Sequence, residues 1–270
     1  MKLIMILTLS MALRANFYFK FAKANRPGLG KEAKGGEDAF FASEDLITVA
    51  DGVGGWNDQG VDPAKYSRKL VANVEKFFKK DKKMYSKNPK QLIVDAARDN
   101  NEKGSSTLVV GTIDNEAGKL RFANIGDSGF IILRREKNGF ESKLRSEEQQ
   151  HSFNFPFQIG TGGDNPSKAD ELTFELKEKD LIVMASDGLF DNLFDQMVID
   201  VANETPNDLQ KIAEGLKDKA FNLSIDKTYQ SPFAVHAKKN RLNFRGGKND
   251  DISVIVAEVA KKVYDEMSDF

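Results

Sequence analysis

The sequence has no cysteine and only two histidines, His151 and His236, among its 270 residues. Without cysteine the chain cannot form a disulfide, a thiolate nucleophile, an iron–sulfur cluster or a cysteine-ligated zinc site. A site built from three imidazoles is excluded as well. Any metal must therefore be held mostly by oxygen, which favours the hard cations Mg²⁺, Mn²⁺ and Ca²⁺.

An excess of charge of either sign is also missing, since 40 Lys and Arg residues stand against 41 Asp and Glu for a formal net charge of −1. This balance argues against a protein whose main activity is to bind nucleic-acid phosphates. The apolar fraction of 40% and the 20 Phe residues are typical of a soluble globular chain with enough apolar side chains for a core.

The apolar run over residues 3–13 is too short to span a bilayer as a helix, which takes about 20 apolar residues. Basic residues recur after this run, and no acidic residue occurs before Glu32. That bias is typical of a mitochondrial presequence, whereas Lys2, the apolar run and Ala22-Lys23-Ala24 resemble a secretory signal. We expect residues 1–28 to form a targeting leader outside the fold, with a mitochondrial destination or, as the alternative, a secretory one.

The rest of the chain has no linker or low-complexity tract, so we expect one domain over residues 29–262 and a C-terminal tail over 263–270. Short apolar and β-branched runs predict strands at residues 39–42, 46–50, 106–113, 120–125, 130–134, 172–176, 181–185 and 252–258. Capping and periodicity predict helices at residues 62–80, 88–100, 195–203, 207–222 and 232–239. Runs of strands with paired helices are typical of an α+β fold with antiparallel sheets.

Acidic residues occur at the ends of several predicted strands. One strand ends on Asp51-Gly52 and another on Asp187-Gly188, while Glu37-Asp38, Asp127 and Asp250-Asp251 flank others. A single Asp-Gly after a strand is usually a turn. Carboxylates crowded at one edge of a core, however, repel one another and raise one another's pKa, and a divalent cation reverses that cost. The repeated arrangement therefore predicts a metal site.

Six motifs in this order resemble those of the metal-dependent type 2C (PPM) Ser/Thr protein phosphatases. They are GGEDA (Gly35–Ala39), VADGVGGW (Val49–Trp56), GSST (Gly104–Thr107), ANIGDSG (Ala123–Gly129), ASDGLFD (Ala185–Asp191) and NDDISV (Asn249–Val254). The likeness covers about residues 31–259. The segments 147–158, 231–237 and 242–251 are similar to the branch related to the mitochondrial type 2C enzyme of fungi, plants and animals, which supports the presequence interpretation.

The resemblance implies a β-sandwich of two mostly antiparallel sheets flanked by helices, with two Mn²⁺ or Mg²⁺ ions at one end. It implies that a water bridging the two ions attacks the phosphoryl group. The resemblance assigns to the two ions the ligands Asp51, the Gly52 carbonyl, Asp187 and Asp250. It assigns Glu37 and Asp38 to metal-bound waters. Asp127 would serve a third, weaker ion or those waters. Of the pair Asp250-Asp251, the family pattern selects Asp250.

The sequence departs from the family pattern at two positions. Many members have an arginine before the Glu-Asp pair to bind the phosphate; here Lys34, or Lys31, would take that place as a point charge. Many members also have a histidine after the first Asp-Gly as a general acid, where this chain has Val53. His151 is a candidate for that role because an imidazole titrates near neutral pH, and a metal-bound water is the alternative. We expect Asp191 to cap the following helix.

These inferences predict a Mn²⁺- or Mg²⁺-dependent phosphatase acting on phosphoserine and phosphothreonine in proteins. We expect a monomer that binds no nucleic acid and whose mature domain does not insert stably into membranes. Two alternatives stay open. An inactive module that senses phosphate or metal is disfavoured by the presence of Asp51, Asp187 and Asp250. Hydrolysis of small phosphorylated metabolites is compatible with the same metal site.

Overall fold

The computed structural model describes residues 15–263, in which two five-stranded antiparallel sheets pack face to face. From edge to edge, the first sheet contains β1 (Ala15–Arg26), β14 (Ile252–Val263), β13 (Leu181–Ala185), β7 (Gly129–Glu136) and β8 (Gly139–Arg145). The second contains β12 (Asp170–Glu175), β6 (Lys119–Ile125), β5 (Leu108–Asp114), β3 (Leu46–Ala50) and β2 (Ala39–Ala42). Short pairs are formed by β9 (Gln150–Ser152) with β10 (Phe155–Pro156), and by β4 (Ser105–Ser106) with β11 (Ile159–Gly160).

Helices cover the outer face of each sheet. The second sheet carries α1 (Pro63–Lys80), α2 (Lys82–Tyr85) and α3 (Pro89–Arg98), and the first carries α4 (Asp187–Phe190), α5 (Asp195–Glu204) and α6 (Leu209–Ser224). The helix α7 (Pro232–Lys239) follows, and 3₁₀ turns occur at Glu32–Lys34, Gly54–Gln59 and Pro166–Lys168. The layer order helix, sheet, sheet, helix confirms the predicted α+β sandwich. None of the helices in residues 15–263 has both the length and the apolar character needed to cross a bilayer.

The central strands are buried on both faces because each sheet lies between the other sheet and a helical layer. In β3, Leu46 and Ala50 pack toward the helices, whereas Val49 packs between the sheets. The rings of Phe122 and Phe130, one from each sheet, stack with centroids 3.9 Å apart. Burying such a side chain fully contributes about 1.5–3 kcal/mol, so this layer fixes how the sheets pack together.

The predicted start of α1 is confirmed. The Asp62 carboxylate accepts a hydrogen bond of 3.1 Å from the backbone N–H of Ala64, and Pro63 occupies the first helical position. Leu70 and Val74, one turn apart, are completely buried against the second sheet.

The prediction that the fold begins after residue 28 is wrong, because Ala15–Arg26 forms the edge strand β1. Its twelve residues pair antiparallel with β14, from Ala15 opposite Val263 to Arg26 opposite Ile252. Phe19 is buried between the sheets, while Lys20 and Lys23 face solvent. Exposed lysines are typical of edge strands, where they discourage aggregation. Residues 1–14 of the expected leader and residues 264–270 of the expected tail lie outside the described residues.

Candidate metal centre

Acidic side chains from both sheets meet at one end of the sandwich. The C-terminal ends of β3, β6 and β13 fall at the same edge as the N-terminal ends of β2, β7 and β14, because neighbouring strands are antiparallel. A cavity of about 180 Å³ lies at this edge. Among the residues that line it are Glu37, Asp51, Gly52, Asp127, Asp187 and Asp250, together with Lys31 and Lys248. The structure thus brings six of the seven residues predicted for the metals and their waters to one cavity.

The main chain around Asp51 is held tightly. The Asp51 carbonyl accepts a hydrogen bond of 2.7 Å from the Ser106 hydroxyl, and the Gly52 N–H donates to the Glu37 carbonyl at 3.3 Å. A Cβ atom at Gly52 would lie 2.7 Å from that Glu37 oxygen and 2.9 Å from the Pro63 carbonyl oxygen. Only glycine fits this close approach, which fixes Asp51 relative to Glu37.

Asp38, the seventh predicted residue, lies beside the cavity and does not line it. Its Oδ2 accepts a hydrogen bond of 2.7 Å from the Ser186 hydroxyl. Its buried Oδ1 has no hydrogen-bond partner within residues 15–263. Burial and the charge of Asp251 raise the pKa of Asp38 to about 8.

The two carboxylates of the Asp250-Asp251 pair face different surroundings. Asp250 lines the cavity and keeps 22% of its side chain exposed. Asp251 is buried and accepts hydrogen bonds from the backbone N–H groups of Gly28, at 2.8 Å, and Glu37, at 2.6 Å. Asp250 therefore offers its carboxylate to the cavity, and Asp251 holds the main chain at Glu37.

Lys31 places an ammonium group in the wall of the cavity. Its Nζ lies 2.6 Å from Glu37 Oε2, 2.9 Å from Asp250 Oδ1 and 3.4 Å from Asp251 Oδ2. Although burial lowers the pKa of Lys31, the charge of Asp250 and the hydrogen bonds raise it above its ordinary value. Lys31 therefore stays charged at neutral pH.

A second ammonium group, from Lys248, lies on the other side of the cavity. It donates hydrogen bonds to Asp187 and, at 2.6 Å, to Asp191. Burial lowers the pKa of Lys248, but the charges of Asp187 and Asp191 raise it well above its ordinary value. Burial, opposed in part by Lys248, raises the pKa of Asp191 to about 8. The prediction that Asp191 caps α5 is wrong, since that helix begins at Asp195 with Phe194 as its N-cap.

Burial and mutual repulsion dominate the electrostatics of the cavity. Burial, followed by the charges of Asp38 and Asp187, raises the pKa of Asp51 well above its ordinary value. Burial and the charge of Asp187 act in the same way on the pKa of Asp127 and Asp250. At Asp187 burial raises the pKa, but the charge of Lys248, hydrogen bonds and the charge of Lys31 together outweigh burial and lower it. So many carboxylates in a poorly solvated site cost free energy unless cations lie among them.

Within the part of the chain that the structure describes, no three His, Asp or Glu side chains are arranged to hold a metal ion as they stand. The ammonium groups of Lys31 and Lys248 lie among the carboxylates instead. The donor chemistry nevertheless fits Mn²⁺ or Mg²⁺, since it consists of carboxylate and carbonyl oxygens. Asp187 Oδ1, like Asp38 Oδ1, is buried with no hydrogen-bond partner among those residues, and a hard cation would satisfy both atoms.

Comparison with known proteins identifies the family. A family model described as Stage II sporulation protein E (SpoIIE) matches residues 45–260. The human protein named Protein phosphatase PTC7 homolog is 38% identical over 264 residues, covering 89% of this chain and 85% of that protein. The chain belongs to the type 2C (PPM) protein phosphatase family.

Solved structures agree with this type 2C assignment. The photosystem II phosphatase PBCP is 32% identical and superposes with a TM-score of 0.82, covering 89% of this chain and 98% of that one. The catalytic domain of the serine/threonine phosphatase PstP, solved in complex with two manganese ions, gives a TM-score of 0.65 over 91% of this chain and 100% of that one. At 16% identity, the PstP likeness supports the type 2C fold alone.

Two predicted site residues of this type 2C chain lie away from the cavity. Lys34 is exposed, and its Nζ lies 3.4 Å from Asn57 Oδ1. His151 stacks on Phe157, with ring centroids 4.2 Å apart, and its Nε2 lies 2.8 Å from Asp164 Oδ2. The structure therefore does not bring Lys34 to the position expected for phosphate or His151 to the position expected for a general acid.

Sequence reasoning missed the roles of Lys248, which lines the type 2C cavity, and of Asp191, which accepts a hydrogen bond from the Lys248 ammonium group. Asp191 follows Asp187 by four residues, and this spacing places the two side chains on one side of a helical turn. That spacing is the signal from which the position of Asp191 near Asp187 could have been predicted. Lys248 precedes the motif NDDISV directly, but nothing in its spacing shows that the side chain turns back toward Asp187.

Proposed function

We propose that this chain hydrolyses phosphoserine and phosphothreonine in proteins, with two Mn²⁺ or Mg²⁺ ions as cofactors. The observation that carries the proposal is the convergence of Asp51, Asp187 and Asp250, from three separate strand ends, on one small cavity. When bound, such ions lower the pKa of a water molecule and neutralise charge on a phosphoryl group.

The chain's own residues have separable roles in this proposal. Lys31, at the cavity wall, attracts the phosphate and compensates the charge of Glu37 and Asp250. Lys248 orients Asp187. The proposed metal ligands are Asp51, the Gly52 carbonyl, Asp187 and Asp250; Glu37, Asp38 and Asp127 are proposed to orient the surrounding waters, and a third, weaker ion would bind beside Asp127.

Phosphate release from a phosphothreonine peptide tests the proposal, measured with EDTA, with Mg²⁺ and with Mn²⁺. Asp51→Asn removes charge while it keeps the shape of the side chain, so we expect metal-dependent release by the wild type and none by this variant. Circular dichroism and thermal unfolding check that the variant is folded. A fully active Asp51→Asn would show that the metal assignment is wrong. A folded wild type without activity toward any peptide would favour the binding module, and phosphometabolites run in parallel test the other alternative.

We also propose a monomeric enzyme with a mitochondrial destination, the secretory pathway being the alternative. The support for this destination is the basic N-terminus without acidic residues before Glu32. The full chain fused at its C-terminus to a fluorescent protein should overlap with a mitochondrial marker in imaging. An endoplasmic reticulum pattern would support the alternative. Size-exclusion chromatography with light scattering tests the oligomeric state.

A further inference from the structure

A second cavity, of about 570 Å³, forms an open groove between residues 227–230, α7 and residues 242–246. Its lining includes the exposed cations Lys227, Lys238 and Arg245 and no acidic residue. Within residues 15–263, none of the three has an ion-pair partner. The groove therefore presents positive charge that the described residues do not compensate by direct pairing.

The charge of this segment differs from that of the whole chain. Residues 227–248 contain six Lys or Arg and no Asp or Glu, whereas the formal net charge of the chain is −1. The preceding acid, Asp226, is engaged by the main chain, since its Oδ1 accepts hydrogen bonds from the N–H groups of Thr228, at 2.7 Å, and Tyr229, at 3.2 Å. The groove is thus a local positive patch suited to an anionic partner.

The groove also exposes apolar side chains on a fixed support. Leu242 is 52% exposed and Phe244 is 36% exposed. At Gly246 a Cβ atom would lie 2.9 Å from the Asp226 carbonyl oxygen, and at Gly247 a Cβ would overlap the Leu223 carbonyl. This close backbone packing holds one wall of the groove in place. A preformed concave surface that combines cations with apolar side chains fits a peptide better than a flat membrane.

Aromatic contacts connect the groove to the metal centre. Phe244 packs edge-on against Phe233, with centroids 4.7 Å apart, and the Lys248 ammonium lies 5.1 Å from the centroid of the Phe233 ring. Phe233 in turn packs against Phe153, in the same hairpin as cavity residues Asn154 and Pro156. Arg245 is three residues from Lys248, so their Cα atoms are at most about 10 Å apart. The groove therefore lies next to the metal centre.

We propose that this groove docks an acidic segment of the phosphorylated protein while the phosphoresidue occupies the metal centre. The proposal rests on the proposed function and adds a substrate class to it. An extended chain covers about 3.3 Å per residue, so a span of about 10 Å corresponds to roughly three positions from the phosphoresidue. Each exposed cation–carboxylate contact contributes modestly, so we expect a gain in kcat/KM of about three- to tenfold, mostly through KM.

Three phosphothreonine peptides test the docking: one with glutamates on the N-terminal side, one with glutamates on the C-terminal side, and one with glutamines at both. The wild type is compared with Lys238→Gln/Arg245→Gln and with the control Lys80→Gln/Lys137→Gln. The control cations are exposed, Lys80 at the last position of α1 and Lys137 directly after the last residue of β7. We expect the groove variant to lose the preference for one acidic peptide and to keep its kcat/KM for the glutamine peptide. The control should keep the preference, and added salt should reduce it.

Equal kcat/KM for the acidic and glutamine peptides in the wild type would overturn the proposal, as would a preference that survives in the groove variant. If no peptide is hydrolysed, the proposed function fails, and the docking is decided by fluorescence anisotropy with an unphosphorylated acidic peptide. Binding that the groove variant loses supports the docking, and equal binding overturns it. Cosedimentation with phosphatidylserine vesicles that requires Lys238 and Arg245, without a peptide preference, would assign the groove to membranes instead.

Discussion

The ammonium nitrogen of Lys31 lies 2.9 Å from a carboxylate oxygen of Asp250, although 219 residues separate the two in sequence. Lys31 precedes β2 and Asp250 precedes β14, so the pair joins the segments that lead into one strand of each sheet. Among the residues at the cavity, Lys31 occupies the position from which a cation reaches both Glu37 and Asp250.

This placement predicts that Lys31→Gln lowers kcat/KM toward a phosphopeptide by about 10- to 100-fold, because a hydrogen bond to a charged group is worth about 1.5–3 kcal/mol. Lys31→Arg should recover part of the loss, since it keeps the charge but changes the geometry. Lys34→Gln should stay within about threefold of the wild type, because its ammonium group lies against Asn57. Steady-state kinetics measure all three, and a larger loss in Lys34→Gln than in Lys31→Gln would contradict the assignment.

The raised carboxylate pKa values predict that Mn²⁺ stabilises the protein more at pH 8 than at pH 6. In the fold the pKa of Asp38 and of Asp191 is about 8, against an ordinary value of 3.8. Between these values the folded chain binds more protons than the unfolded chain, so these groups destabilise the metal-free protein as pH rises through this window. Metal ions bind the deprotonated carboxylates, so their affinity for the site rises as the pH increases and these groups lose their protons.

Thermal unfolding with EDTA and with Mn²⁺, at both pH values, measures the effect. Asp51→Asn serves as the matched variant, and its Mn²⁺-dependent shift in Tm should be smaller than that of the wild type. A shift in the wild type that is larger at pH 6 would contradict the electrostatic account.

Three of the strands near the site could be predicted with correct bounds, because each is a short apolar run. The runs at residues 39–42, 46–50 and 181–185 coincide with β2, β3 and β13. The edge strands β1 and β8 escaped prediction. In β8 only Phe140 is buried, and the strand exists because its backbone pairs with β7. Such pairing leaves almost no hydrophobic pattern in the sequence.

The sequence predicts those site residues whose positions follow from the ends of the strands. Glu37, Asp51, Asp127, Asp187 and Asp250 each lie within two residues of a strand end, so antiparallel pairing brings them to one edge. The lysines and His151 belong to loops or short hairpins, where the direction of a side chain depends on local turns. Asn154, for example, adopts a left-handed conformation with φ of 58° in the hairpin that carries His151.

Gly52→Ala should destabilise the protein by about 1–3 kcal/mol and reduce activity, because the new methyl group would overlap the carbonyl oxygens of Glu37 and Pro63. Relieving that overlap moves Asp51 relative to Glu37. Gly55→Ala is the matched control, since a Cβ there meets no atom within 4 Å among the described residues. Urea unfolding gives the free energies. Equal stability of the two variants would show that the close approach at Gly52 does not matter.

His151→Gln should leave kcat within about threefold of the wild type, because the imidazole packs on Phe157 and hydrogen-bonds to Asp164 outside the cavity. The pH dependence of kcat should keep its shape, since a general acid would contribute a titration that the variant loses. Kinetics from pH 5 to 9 decide the matter. A folded variant whose kcat falls at least 100-fold would show that His151 takes part in the reaction.

Deletion of residues 1–28 should destabilise the domain far more than deletion of residues 1–14, because only the longer deletion removes β1. It takes Phe19 out of the core and removes the Arg26 guanidinium, which lies 3.3 Å from the centroid of the Phe221 ring on α6. It also exposes the backbone edge of β14, which favours aggregation. Soluble yield and thermal unfolding of the two truncated chains measure the difference. If both truncated chains have the same Tm, β1 contributes nothing to the stability of the fold. That result would support a domain boundary near residue 28.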